Sequence, residues 1–337
     1  MASVTKLGIM GMAHSHLNSL IQYARQVEGI ELVGIADPTR TDLAEGVAKE
    51  FDIAKVYPDY ASLLSEAKPD GVISCAENSH HVDVVAACAS AGVNVMVEKP
   101  LAGTLEQAQK IAAIAKGAGI QVMCNWPILW SPIYHTLLKL VQDGALGRIF
   151  QFRYRAGHAG PTGGHMPEDP RGGWWFWKEL GGGALLDFCC YGACLSRWLI
   201  GEPAVNVVAL ADRLCYDFGD TEDNAVVLVR YPSAIAILEA TWTQHGDPGP
   251  HGPIVWGTAA TAFFAPDGNI VVLRDGQQEI VEPGALPVEP TGPAHFVACL
   301  REGRPFHPIV SLPHNLEVMA ILDGGLKAAA SGQAVKV

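Results

Sequence analysis

The sequence predicts an α/β chain in two parts: a doubly wound parallel sheet over residues 1–125, and an α+β domain with a large, mostly antiparallel sheet over residues 126–337. Three observations carry this. Up to Cys124, short apolar runs alternate with longer helical stretches, the pattern of buried parallel strands joined by crossover helices. From Pro132 the pattern changes, and most later apolar runs have strand character. Turn chemistry separates several of them, as in Tyr231-Pro232-Ser233 and Pro266-Asp267-Gly268, which favours hairpins. At 337 residues, 49% hydrophobic and 17% charged, the chain is long and apolar enough for two cores.

Lys6–Met10 is the first strand. It runs into Gly11-Met12-Ala13-His14-Ser15-His16, and a helix follows to about Val27. A glycine turn between strand and helix directs backbone N–H groups and the positive helix end toward a pyrophosphate. The three-glycine fingerprint is reduced here to Gly11, with Ala13 and His16 in the second and third positions. The second strand, Glu31–Ala36, ends at Asp37. An acid roughly 20 residues past the turn binds ribose hydroxyls and repels a 2′-phosphate. NAD is therefore the expected cofactor, with NADP as the alternative, because Arg40 could hold a phosphate. Asp-Pro-Thr-Arg is also good turn chemistry in its own right.

Helices at Thr41–Phe51 and Tyr57–Ala67 precede the third strand, Gly71–Cys75. Ala76-Glu77-Asn78-Ser79-His80-His81 then opens a helix to Ala91. Val93, Val95 and Val97 mark the next strand, which stops at Glu98-Lys99-Pro100. Pro100 cannot donate to a ladder and biases Lys99 toward an extended conformation. Two charged side chains thus stand at the carboxyl end of a buried strand, the edge at which open parallel sheets bind ligands. A surface ion pair at a strand end is the plainer alternative. Thr104 caps a helix to about Gly117, with Gln107 in a capping-box relation. Ile120–Cys124 closes the sheet at Asn125-Trp126-Pro127.

In the second part, Ile133–Asp143 reads as a helix and Gly144–Gly147 as a turn. Strand character follows at Arg148–Arg155, Ala204–Asp212, Asn224–Tyr231, Ala234–Thr243, Ile254–Val255, Ala260–Phe264 and Ile270–Leu273. Between the first two of these lies Ala156–Gly173, a Gly- and Pro-rich loop carrying His158 and His165, closed by Trp174-Trp175-Phe176-Trp177. A loop this long is usually functional or disordered. It reads as a flap whose His158, His165 and Trp175 contact a sugar-like substrate, with solvated loop histidines as the alternative. No metal is expected. Gly181-Gly182-Gly183 opens a helix over Ala184–Leu199, on which Asp187 and Tyr191 stand at i and i+4 on one face. Gly292–Gly303 and Leu312–Ser331 read as closing helices.

Composition excludes several classes. A net charge of −12 disfavours nucleic acid. No apolar run reaches the ~18 residues that span a bilayer. Met-Ala-Ser-Val-Thr-Lys lacks the apolar core of a signal peptide. The eight cysteines form no Cys-x-x-Cys pair, against a zinc ribbon. Most lie in apolar elements, and a reducing cytoplasm is expected.

Glu98-Lys99-Pro100 after the βαβαβ run resembles the signature of the Gfo/Idh/MocA oxidoreductases, the glucose–fructose oxidoreductase, inositol dehydrogenase and rhizopine-catabolism family. The resemblance extends along nearly the whole chain. Asn78 and His81 match the family's Thr-Pro-Asn-x-x-His, although Ala76 and Glu77 replace Thr-Pro. Asn125-Trp126-Pro127 stands where Asn-Tyr-Arg is usual. Gly181–Gly183, Asp187 and Tyr191 resemble Gly-Gly-Gly-x-Leu-x-Asp-x-Gly-x-His, with Cys189 for the glycine, Tyr191 for the histidine and Cys194 where many relatives have an aspartate. The tyrosine form resembles the glucose–fructose oxidoreductase and dihydrodiol dehydrogenase branch. The closing helices match the family's final segments.

The resemblance implies a Rossmann domain followed by a substrate-binding and oligomerisation domain, forming a homodimer or homotetramer through the C-terminal sheet. It implies cofactor contacts from Gly11, Ala13, His14, Ser15, His16, Asp37, Arg40, Cys75, Ala76, Asn78, His81, Glu98, Lys99 and Trp126. Lys99, Trp126, Asp187 and Tyr191 would also meet substrate. The expected reaction moves a hydride between nicotinamide and a secondary alcohol or carbonyl of a sugar, polyol or related compound. A free tyrosine, with a pKa of ~10, is a poor base at neutral pH. A nearby ammonium stabilises the phenolate, so Lys99 is expected to polarise the substrate oxygen and tune Tyr191, the proton donor and acceptor. Asp187 orients substrate or Lys99. Two other readings stay open: an NAD-dependent glycosidase of the same fold, and a dinucleotide sensor without turnover.

Overall fold

The computed structural model describes residues 4–163, 170–246, 249 and 252–337. The chain divides into two compact units: Met1–Trp130 with Val288–Pro313, and Ser131–Pro287 with His314–Val337.

The first unit contains β1 (Thr5–Met12), α1 (Leu17–Arg25), β2 (Ile30–Ala36), α2 (Thr41–Glu50), β3 (Val56–Tyr57), the single turn α3 (Tyr60–Ser62), β4 (Gly71–Cys75), α4 (His81–Ala91), β5 (Asn94–Glu98), α5 (Leu105–Ala118) and β6 (Val122–Asn125). The strands form one parallel sheet in the order β3-β2-β1-β4-β5-β6. Strand order reverses between β1 and β4, which places the ligand crevice of such a sheet at their carboxyl ends. Both faces are covered, so Leu7, Ile9, Val72, Ile73, Val95, Met96 and Val97 have no exposed surface. The helix expected over Tyr57–Ala67 is shorter: Tyr57 pairs with Ala36 in the sheet, and α3 passes into a π-helical turn, Leu63–Ala67.

Sequence spacing assigns the closing segments to the second part, but residues 288–313 cluster with the first unit. A later helix, Gly292–Glu302 (α8 below), carries the reason. Gly71 leaves room for it, since a Cβ there would lie 2.7 Å from both Phe296 and Leu300. Arg301 donates to Thr5 Oγ1 (2.9 Å) and to the Glu28 carbonyl (2.8 Å).

The second unit contains α6 (Pro132–Gln142), β7 (Ile149–Gly157), a π-helical turn (Leu185–Cys189) leading into α7 (Cys190–Ile200), then β8 (Asn206–Asp212), β9 (Asn224–Arg230), β10 (Ile235–Thr241), β11 (Gly252–Gly257), β12 (Thr261–Phe264), β13 (Ile270–Arg274) and β14 (Gln277–Val281). After α8 (Gly292–Glu302), the chain returns to this unit as α9 (Leu312–Ser331) and β15 (Val335–Lys336). Among the described residues these strands form one sheet, in the order β14-β13-β12-β11-β7-β10-β9-β8-β15. All neighbours are antiparallel except β7 and β10. One face is the core, with Val207, Val227, Val229, Ala236 and Leu238 buried. Gly192 lets α7 seat on it, since a Cβ there would lie 2.7 Å from Leu238 and 3.0 Å from Tyr154. Lys178–Ile200 is apolar and long enough to cross a membrane by length and composition, but it is mostly buried inside the protein. The other sheet face exposes Val208, Leu210, Val226, Leu228 and Ile235.

Candidate active site

In the first unit, the chemistry gathers at the carboxyl ends of the strands. β5 delivers Glu98 and Lys99, 0% and 2% exposed, into a cis Lys99-Pro100 bond. Asn125, at the end of β6, donates through Nδ2 to Glu98 Oε1 (2.5 Å), and Trp130 Nε1 donates to Asn125 Oδ1 (2.9 Å). His16 Nδ1 meets Glu98 Oε2 at 3.1 Å. Burial pushes the Glu98 carboxyl up, but His16, Asn125 and Lys99 outweigh it and hold the group below its ordinary value. Burial, with the charges of His16, Lys99 and His81, keeps His14 well below the ordinary histidine range and so neutral. Donor atoms of His14, His16 and Glu98 lie within 4.8 Å of one another, a spacing open to a metal. The Lys99 ammonium acts on both His14 and Glu98, and it disfavours a second cation there. Trp126 has no exposed surface.

The glycine turn departs from the three-glycine form. Gly11 has φ +72°, and a Cβ on it would approach Ala76 atoms to 2.6–2.8 Å, so only glycine fits. Beyond it the N–H groups turn inward. Met12 N donates to Asp37 Oδ2 (2.9 Å), His14 N to the Cys75 carbonyl (2.9 Å) and His16 N to His14 Nδ1 (3.1 Å). Ala13 is half-buried and Ser15 exposed. Burial pushes the Cys75 thiol well up, so it stays protonated.

Asp37 is buried, and its Oδ1 accepts from Thr39 N (2.9 Å) and Thr39 Oγ1 (2.8 Å). A carboxylate offers about four acceptor positions, so one remains for a ribose hydroxyl. Asn78 is buried at the entry to α4. His81 sets Nδ1 against the Leu101 carbonyl at 3.1 Å, while its buried Nε2 has no partner among the described residues. An unsatisfied buried nitrogen, an acid at the end of β2 and a required glycine at the end of β1 fit a dinucleotide. Arg40, which could hold a phosphate under the NADP alternative, donates from Nη2 to Glu77 Oε1 at 2.6 Å.

In the second unit, the glycine run is a packing device. A Cβ on Gly182 would lie 2.0 Å from the Trp175 carbonyl oxygen, and one on Gly183 2.3 Å from Glu222 Oε1. Glu222 accepts from Leu185 N at 2.9 Å and so holds the first turn of the π-helical segment. That segment, where a single α-helix was expected, carries Asp187. π-turns of this kind are frequent at functional sites. Trp242 Nε1 donates to Asp187 Oδ2 at 3.1 Å, both groups buried. Sequence reasoning missed Glu222 and Trp242, and no local pattern marks either. Tyr191 stacks on Tyr154 with ring centroids 6.2 Å apart. Tyr154, His158, Phe188 and Tyr134 line a cavity of about 320 Å³, and His158 sits edge-on to Phe188 at 4.7 Å. Trp175, expected in a flap over substrate, is buried and stacked on Trp174 at 3.9 Å. His165 lies outside the described residues.

Residues 5–126 match the oxidoreductase family's NAD-binding Rossmann fold, and residues 134–263 match the GFO/IDH/MocA C-terminal domain. The chain is 26% identical over 329 residues to scyllo-inositol 2-dehydrogenase (NAD(+)) of Bacillus subtilis (strain 168), covering 93% of this chain and 90% of that protein. Its fold is similar to that of an oxidoreductase from Agrobacterium radiobacter in complex with NAD+, L-tartaric acid and magnesium, with a TM-score of 0.81, 19% identity and 99% and 98% of the two chains covered. It is also similar to that of aldose-aldose oxidoreductase from Caulobacter crescentus complexed with glycerol, with a TM-score of 0.81, 23% identity and coverage of 99% and 100%.

Proposed function

Because the chain belongs to the Gfo/Idh/MocA oxidoreductase family and carries its NAD-binding Rossmann fold, we propose that it oxidises a secondary alcohol, or reduces the matching carbonyl, of a sugar, polyol or related compound. The observation that carries this reading is the buried Lys99 ammonium beside Glu98 and His14 at the carboxyl edge of the parallel sheet. NAD, when bound, supplies the hydride acceptor or donor. Lys99 polarises the substrate oxygen. Tyr191 exchanges the hydroxyl proton. Asp187, held by Trp242, orients the substrate. Glu98 positions Lys99 and is itself fixed by His16 and Asn125.

The test is titration with NADH, followed by a panel of inositols, aldoses and glycosides read at the NADH absorbance. NAD reduction by a polyhydroxy compound supports the proposal. Sugar release from glycosides without net NADH would replace it with the glycosidase reading. Dinucleotide binding with neither reaction would leave a sensor. Asp37→Ala is expected to weaken NADH binding more than NADPH binding, because only the unphosphorylated ribose uses that carboxylate. Equal weakening would reject the ribose assignment.

We also propose that the exposed face of the second sheet pairs two copies of the chain. Val208 and Leu210 on β8 oppose Leu228 and Val226 on β9, and Leu210 is 77% exposed. An apolar face of this kind marks an interaction surface. Leu210→Lys is expected to shift the protein to monomer in sedimentation or light-scattering measurements. A monomeric wild-type protein would reject this assignment.

A further inference from the structure

We propose that Glu77 sets the choice of cofactor: by occupying Arg40, it closes the adenosine ribose position to a 2′-phosphate and makes the protein selective for NAD over NADP. The inference rests on the NAD-linked reading above and deepens it. Asp37 and Arg40 share one turn, with Arg40 N donating to the Asp37 carbonyl at 3.2 Å. An acid at the end of this strand bonds the ribose hydroxyls, and an arginine nearby accommodates a 2′-phosphate. This chain carries both, so Asp37 alone leaves the preference open.

Glu77 resolves it from the loop after β4. Its Oε1 accepts from Arg40 Nη2 at 2.6 Å, with the two side chains only 7% and 6% exposed. Its Oε2 meets His80 Nδ1 at 3.1 Å. A guanidinium already bonded to a buried carboxylate has much of its charge balanced before a phosphate arrives. Turning Arg40 away would leave the buried Glu77 carboxylate with His80 as its remaining side-chain partner, which is costly. The phosphate would also face two carboxylates, Asp37 and Glu77, the second already shared between Arg40 and His80. Burial pushes the Glu77 carboxyl up, but His80, its own backbone N–H and Arg40 reverse this and hold it at about 2, so the charge persists at every working pH.

The test is equilibrium titration of NADH and NADPH, read by nicotinamide fluorescence without turnover. Wild-type protein is expected to prefer NADH. In Glu77→Gln the ratio of NADPH to NADH dissociation constants should fall about tenfold or more, the scale of losing one close like charge. Glu77→Gln combined with Arg40→Ala should cancel that gain. An unchanged ratio in a folded Glu77→Gln protein would overturn the inference. A second measurement needs no variant: adenosine 2′,5′-bisphosphate should displace NADH from the wild-type protein about tenfold less well than 5′-AMP. Equal or better displacement would also overturn it. Absence of NADH binding to the wild-type protein would reject the oxidoreductase reading itself. Tight NADH binding with an unchanged ratio rejects the role of Glu77 alone.

Discussion

Lys99→Met is expected to lower turnover by roughly 10²–10⁴-fold while leaving NADH affinity within a few-fold, the range seen when a positioned acid/base or electrostatic group is removed. Methionine matches the lysine stem in length and fills the same buried space, so the change isolates the charge. Glu98 loses one of its counter-charges, but His16 and the Asn125 amide still bond its two oxygens. The strand end should therefore keep its shape. His14 should bind protons more readily in the variant, because Lys99 is among the groups that depress it. An NMR titration of His14 would show this shift and would separate a lost ammonium from a collapsed site. Turnover of a folded Lys99→Met protein at the wild-type rate would remove the lysine from the mechanism.

The parallel sheet was readable because its inner strands β4 and β5 are buried on both faces and so appear as short continuous apolar runs, whereas Tyr57 of the two-residue edge strand β3 reads as the start of a helix. Val93–Val97 and Gly71–Cys75 need no partner to be recognised. β14 carries no such signal. Its residues, Gln277–Val281, are mostly exposed at a sheet edge. The marker was the turn before it, Asp275-Gly276, whose two positive φ angles are those of a tight hairpin. The return of α8 to the first unit was invisible for another reason: its apolar face is clear in sequence, but its partner surface around Gly71 is not. The candidate site divides in the same way. Glu98, Lys99 and Asp37 announce themselves by standing where apolar strands stop. The pairs that fix them do not. Arg40 and Glu77 are 37 positions apart, Glu98 and Asn125 are 27 apart, and Asp187 and Trp242 are 55 apart. Side chains meeting over such separations leave no periodicity to detect.

Tyr191→Phe should cost roughly 10²-fold or more in kcat, with a change in pH dependence that distinguishes lost proton transfer from lost packing. The Tyr191 ring stacks on Tyr154, and phenylalanine keeps that contact. The helix position should therefore survive, and substrate KM should move less than kcat. If the phenol carries the substrate proton, the wild-type rate of alcohol oxidation rises with pH as the base form becomes available, and this limb disappears in the variant. Carbonyl reduction, which needs the acid form, should lose its opposite limb in the same protein. A packing role predicts something else: a lower rate at every pH with an unchanged profile, together with a reduced melting temperature. Asp187→Asn supplies the control. It keeps an acceptor oxygen for the Trp242 indole N–H but removes the charge, so it should raise KM and leave both pH limbs in place. A Tyr191→Phe protein that retains the wild-type profile would assign the proton to another group and leave Tyr191 as part of the helix packing.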